Sequence, residues 1–142
     1  MKKNTQLFFI SIFTAMVCAF YSIKKSSNYY IQIVGKSDTD TSSQLFYDIG
    51  NSYIEKNSVR LEIRKNEKYE KFIMPLPTEK IYDLRFDPLD CNGSFEIKSI
   101  SILGNKKDGS QHQILHQFDL RTLKAFQQVD LAMNDAGNME AT

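Results

Sequence analysis

The stretch "LRFDPLDCNGSFEIKSISI", residues 84–102, decides the fold. Leu84 and Phe86 alternate with Arg85 and Asp87, and Phe95 and Ile97 alternate with Glu96 and Lys98. Alternation puts apolar side chains on one face and charged ones on the other, the pattern of a half-buried strand. Between the two runs, Asn92-Gly93 reads as a turn, because both residues tolerate positive φ. From Ile97 to Ile100 and Ile102 the apolar phase slips at Lys98-Ser99. A slip of that kind needs one extra residue in a strand, which a β-bulge supplies.

The same period recurs on both sides. "YYIQIV" (29–34) places Tyr29, Ile31 and Ile33 on one face, and "GKSDTDTSS" follows as a break. "QLFYDI" (44–49) is a second run, and "SVRLEIRK" (58–65) alternates most cleanly, with Val59, Leu61 and Ile63 inward. "YEKFIMPLP" carries two prolines, which confine it to a sheet edge or a loop entry. "IYDLRFD" (81–87) and "QHQILHQF" (111–118) complete the set. Residues 119–126, "DLRTLKAF", read as a short helix capped by Asp119. About seven short strands with little helix predict an all-β fold, an antiparallel β-sandwich of jelly-roll-like type.

The amino terminus has a different character. Residues 7–23, "LFFISIFTAMVCAFYSI", contain no charge and follow the basic flank 1–6. As a helix the run would be roughly 25 Å long, close to a hydrocarbon core of about 30 Å. Two readings stay open, a signal peptide cut after Ala19 and an uncleaved transmembrane signal anchor. The anchor is favoured because apolar residues continue through Phe20, Tyr21 and Ile23. Residues 24–28 then form a linker, 29–126 the extracytoplasmic sandwich and 127–142 a polar tail.

Residues 24–142 carry 16 basic side chains (18 in the chain less Lys2 and Lys3) against 17 acidic ones, which excludes a basic field for nucleic acid. The two cysteines, Cys18 in the apolar run and Cys91 in the loop, do not suggest a disulfide.

Motifs for chemistry fall short. Asp87, Asp90 and the "SDTD" pair Asp38 and Asp40 offer calcium-type oxygens, but Pro88 stands where an EF-hand needs its first acid, and turn formation outweighs a metal site. "HQILH" (112–116) has the spacing of a zinc protease motif with Gln113 in place of the catalytic glutamate. In a strand, His112 and His116 would share a face but lie roughly 13 Å apart. No catalytic residue, metal ligand or cofactor is therefore assigned. The polar-aromatic cluster Tyr47, Asp48, Asn51 and Tyr53, in "FYDIGNSYIEKNS", is the candidate ligand-binding site, suited to a sugar ring and its hydroxyls.

The order "QLFYDIGNSYIEKNSVRLEI" then "MPLPTEKIYDLRFDPLDCNGSFEIKSISI" resembles a β-sandwich module of bacterial cell-envelope proteins, found in polytopic membrane proteins and glycosyltransferases of surface polysaccharides. Gln44, Tyr47, Asp48, Gly50, Asn57 and Ser58 carry it in the first stretch. Leu76, Pro77, Leu84, Arg85, Asp87, Pro88, Gly93 and residues 97–102 carry it in the second. The resemblance implies a carbohydrate-binding-like sandwich outside the cytoplasmic membrane and brings no catalytic residues. A membrane-anchored, non-enzymatic module contacting glycan or lipid-linked saccharide is the expectation. Its alternative is a structural lobe for a membrane-protein partner, including a truncated relative of a larger envelope protein.

Overall fold

The computed structural model describes residues 28–106, 112–125 and 130–142. The apolar run 7–23, with Cys18 and Ala19, lies outside the described residues. Among the described residues no helix is long and apolar enough to cross a membrane.

Among the described residues nine strands form two antiparallel sheets: β1 (Tyr29–Ser37), β2 (Thr41–Asp48), β3 (Ser58–Ile63), β4 (Glu70–Pro75), β5 (Asp83–Asp87), β6 (Phe95–Asn105), β7 (His112–Gln117), β8 (Leu131–Met133) and β9 (Met139–Ala141). The small sheet runs β3-β2-β5, and the large one runs β4-β1-β6-β9-β8. Strand β7 shares with β9 the second edge of β6, pairing at Ser101 to Asn105 while β9 pairs at Phe95 to Ile97. All-β architecture is thus what the alternation predicts.

The core lies between the sheets. Ile31, Ile33, Phe95, Ile97 and Ile100 of the large sheet meet Leu45 and Ile63 of the small one. Phe95, fully buried, is bracketed by the rings of Phe72 and Phe86, each with its centroid 5.9 Å away. Tilted and edge-on rings at that distance add to simple burial, so Phe95 fixes the sheet spacing as well as filling it.

The expected bulge is present. Val34 pairs with Ser99 and Gly35 with Ile97, so Lys98 is the extra residue of β6. Its side chain stays in solvent, which lets Phe95, Ile97, Ile100 and Ile102 all turn inward despite the slip. Gly35 belongs to the same device: a Cβ there would sit 2.6 Å from the Phe95 ring and 2.9 Å from the Glu96 carbonyl oxygen.

Several boundaries depart from the sequence pattern. Strand β1 continues through Gly35 to Ser37, where a break was expected, and β2 starts at Thr41. Among the described residues of 119–126, where a helix was expected, a single 3-10 turn, Leu120–Thr122, stands; Asp119 does cap it, accepting from the Arg121 N–H at 3.1 Å. Strands β5 and β6 belong to different sheets, so residues 88–94 cross between sheets. Gly93 has no positive φ; it is small because Thr39 Cγ2 would lie 2.5 Å from a Cβ. Residues 131–141 are a hairpin on β6, not a polar tail, and Met139 and Ala141 are buried.

Candidate functional site

Three strands cannot cover a wider sheet. Strand β3 lies against β4, and on the β5 side Leu84 and Phe86 are left half-buried against the large sheet. There a groove of about 1000 Å³ runs along the sandwich and rounds the open edge of β5. It reaches down to the buried core isoleucines Ile31, Ile33, Ile97 and Ile100, and Ile102 beside them is half-buried. Leu84 and Phe86 of β5 form one wall, and Phe118, Leu123 and Leu131 form the other. The volume is at the upper end of the 300–1000 Å³ or so that small-molecule sites occupy.

The register gives the groove two distinct ends. Tyr29 pairs with Gly104 and Ser37 with Phe95, so Tyr29 and Ile102 mark the end where the chain enters the domain. Loop 76–82 lies at that end, because the Leu76 N–H donates to the Tyr29 carbonyl at 2.9 Å. Loop 49–54 joins it: the Tyr82 N–H donates to the Asp48 carbonyl at 2.8 Å. Pro88, Leu131 and Ala141 mark the opposite end.

Tyr53 lines the groove near its entry end. Burial and a hydrogen bond to Asp83 push its hydroxyl up to about 12, so it stays protonated at ordinary pH. Beside it the Arg85 guanidinium lies 4.9 Å above the Phe46 ring and 5.9 Å from the Tyr53 ring. Arg85 also forms a fork with Asp87, at 2.8 and 2.6 Å, which raises its pKa further. A phenol, a guanidinium and carboxylates thus stand beside an apolar channel.

The other predicted site residues have structural partners. One Asp48 oxygen accepts from the N–H groups of Gly50, Asn51 and Ser52 at 2.8 to 3.0 Å, holding the loop in shape. Asn51 accepts from the Asn57 amide at 2.9 Å. Tyr47 is half-buried and shares a face with Leu45, opposite Leu84. Only Tyr53 of the four lines the groove.

The acidic loops bind backbone. Asp38 accepts from the Ser94 N–H at 2.8 Å and Asp40 from the Lys65 N–H at 2.7 Å. Asp90 accepts from the Ser42 N–H and the Thr41 hydroxyl, both at 3.0 Å, which lowers its pKa. Among the described residues no group of three His, Cys, Asp or Glu side chains could hold a metal.

The histidines do not share a face. Ile102 pairs with His116 and Leu103 with Ile114, so Leu115 is a bulge residue and alternation shifts by one. His112 stacks on Tyr30 at 4.6 Å, whereas His116 meets Phe118 edge-on at 4.9 Å on the groove side. The bulge therefore removes the shared face expected from regular strand geometry.

Sequence reasoning missed the groove. Alternation identified the inward isoleucines, but it carries no signal for how fully the opposing layer closes over the half-buried Ile102, Leu84 and Phe86 beside them. No protein family, curated protein or solved structure matches the chain.

Proposed function

We propose that this protein is a membrane-anchored, non-catalytic module of the cell envelope that binds an amphiphile of the lipid-linked saccharide class. The apolar part lies in the inter-sheet groove, and the polar part meets Tyr53, Asp83 and Arg85 at the entry end. One observation carries this reading: an apolar groove of about 1000 Å³ ends beside a polar-aromatic corner. A sugar alone would leave the half-buried side chains of Leu84, Phe86, Ile102, Phe118, Leu123 and Leu131 partly in water, and burying apolar area is worth about 25 cal/mol per Å².

The test is photocrosslinking of the full chain with a diazirine-bearing alkyl glycoside. Labelled peptides from residues 84–86 and 97–102 are the expected result; labelling confined to residues 7–23 would defeat the proposal. Leu123→Trp, which places a ring in the groove wall, should lower the yield. Tyr53→Ala should weaken competition by the glycoside more than competition by the free alkyl chain.

A second reading rests on β5, the edge strand of the small sheet beside the groove. An extended partner segment could add there as a fourth strand and cover the groove. Crosslinking of a co-purified membrane protein to β5, with no amphiphile labelling, would favour it.

A further inference from the structure

We infer that the entry end of the sandwich is a membrane-docking face, which seats the mouth of the groove at the lipid headgroups. The inference rests on the anchor reading of residues 7–23 and extends the proposed amphiphile binding.

Two independent observations converge on this end. Among the described residues six large apolar side chains are exposed, and four gather here: Tyr29 (47%), Tyr82 (62%), Ile114 (60%) and Leu115 (49%). Their placement follows from pairing. Gly104 pairs with Tyr29, and a Cβ on Gly104 would lie 2.7 Å from Leu115 Cδ1, whereas Ile114 pairs with Leu103 and stands at the same end on the other face of the sheet. Tyr82 reaches the same end through its hydrogen bond to Asp48.

The second observation is the tether. Five residues, 24–28, separate the uncharged run from Tyr29. At about 3.5 Å per residue they reach roughly 17 Å, so this end cannot stand far from a bilayer holding residues 7–23. The chemistry also fits an interface. Two tyrosines and two aliphatic side chains suit the headgroup boundary, where aromatic rings with a polar tip concentrate.

Charge is mixed at this end. The Lys80 ammonium lies 4.5 Å over the Tyr82 ring and Lys106 is exposed, but Glu79 and Asp83 are exposed as well. Docking is therefore driven by apolar and aromatic contact more than by attraction to anionic lipid. Tyr29 and Tyr82 also line the groove, so its mouth faces the same way. A chain leaving the outer lipid layer would enter the groove without crossing water.

The experiment uses the full chain in vesicles of phosphatidylethanolamine and phosphatidylglycerol, with a polarity-sensitive fluorophore on one cysteine. Ile114→Cys in a Cys18→Ser, Cys91→Ser background reports the entry end and is not a groove-lining position. Native Cys91, exposed in the 88–94 loop, reports the opposite end in a Cys18→Ser background. Blue-shifted emission and quenching by headgroup-level nitroxide lipids at Ile114→Cys, with neither at Cys91, is the expected result. Equal signals at the two positions, whether quenched or not, would overturn the inference. A glycine-serine insertion after Asn28 should leave the Ile114→Cys signal in place; its loss would mean tether proximity without docking, and would also overturn it. Amphiphile crosslinking in the groove is scored separately, so either proposal can fail alone.

Discussion

Glu96 is the most heavily committed side chain on the surface of the large sheet. It forms an ion pair with Lys36 at 2.8 Å and accepts from the Tyr69 hydroxyl and from the amides of Asn134 and Asn138. The Lys36 ion pair, first, and these hydrogen bonds hold its carboxyl at about 2, well below the ordinary 4.5. The folded value is depressed, so the stabilisation is fully present above about pH 4.5 and is lost as pH falls toward 2. Denaturant titrations across that window should show up to about 3 kcal/mol of pH-dependent stability, and Glu96→Gln should flatten the curve. A variant with the same slope as the parent would show that another group governs acid unfolding. Gly35 is constrained by its neighbours as tightly as Glu96. Gly35→Ala must displace the Phe95 ring and press on the Glu96 carbonyl, costing about 1–3 kcal/mol in denaturant melts.

Among the elements, β6 organises the fold, pairing with β1 on one edge and with both β7 and β9 on the other. Its bulge was legible, because the isoleucine spacing changes phase between Ile97 and Ile100 and only an inserted residue restores the inward face. The bulge in β7 was not legible: Ile114 and Leu115 are both apolar, so nothing in the pattern marks the slip. The hairpin of β8 and β9 escaped for another reason. Each strand has three residues, and burial at Met139 and Ala141 depends on β6 together with the Glu96 bonds to Asn134 and Asn138. Short segments held by long-range contacts leave almost no local period. Met139→Ala should therefore cost about 2–4 kcal/mol, a loss no exposed tail residue would produce, measurable as a lowered unfolding midpoint. Hydrogen exchange at residues 131–141 should quicken in Glu96→Gln before exchange at β1 does.

Taken whole, the molecule is a sandwich whose two layers differ in width, and the groove is the difference. That mismatch lies outside what a single strand's sequence encodes, which is why Tyr53 was legible as a polar aromatic but the groove beside it was not. An amphiphile that binds only the folded state raises apparent stability by RT ln(1 + [L]/Kd), about 2.7 kcal/mol at a hundredfold excess over Kd. Thermal melts of the full chain with a matched alkyl glycoside should shift upward, and Leu123→Trp should reduce the shift. An unchanged midpoint at saturating glycoside would argue for the strand-adding partner instead.

Two of the edge strands, β4 of the large sheet and β5 of the small one, have unequal defences. Strand β4 ends in Pro75 and shows Glu70 and Lys71 to solvent, features that discourage a neighbouring chain from pairing. Strand β5 has no proline, shows only Asp83 fully to solvent, lies beside the groove and ties its other charges to one another as the Arg85 and Asp87 fork. An unfilled molecule thus has a sticky margin at β5. Its occupant would serve as a solubility factor as well as a cargo, and purification stripped of amphiphile should yield concentration-dependent clumping that begins at β5.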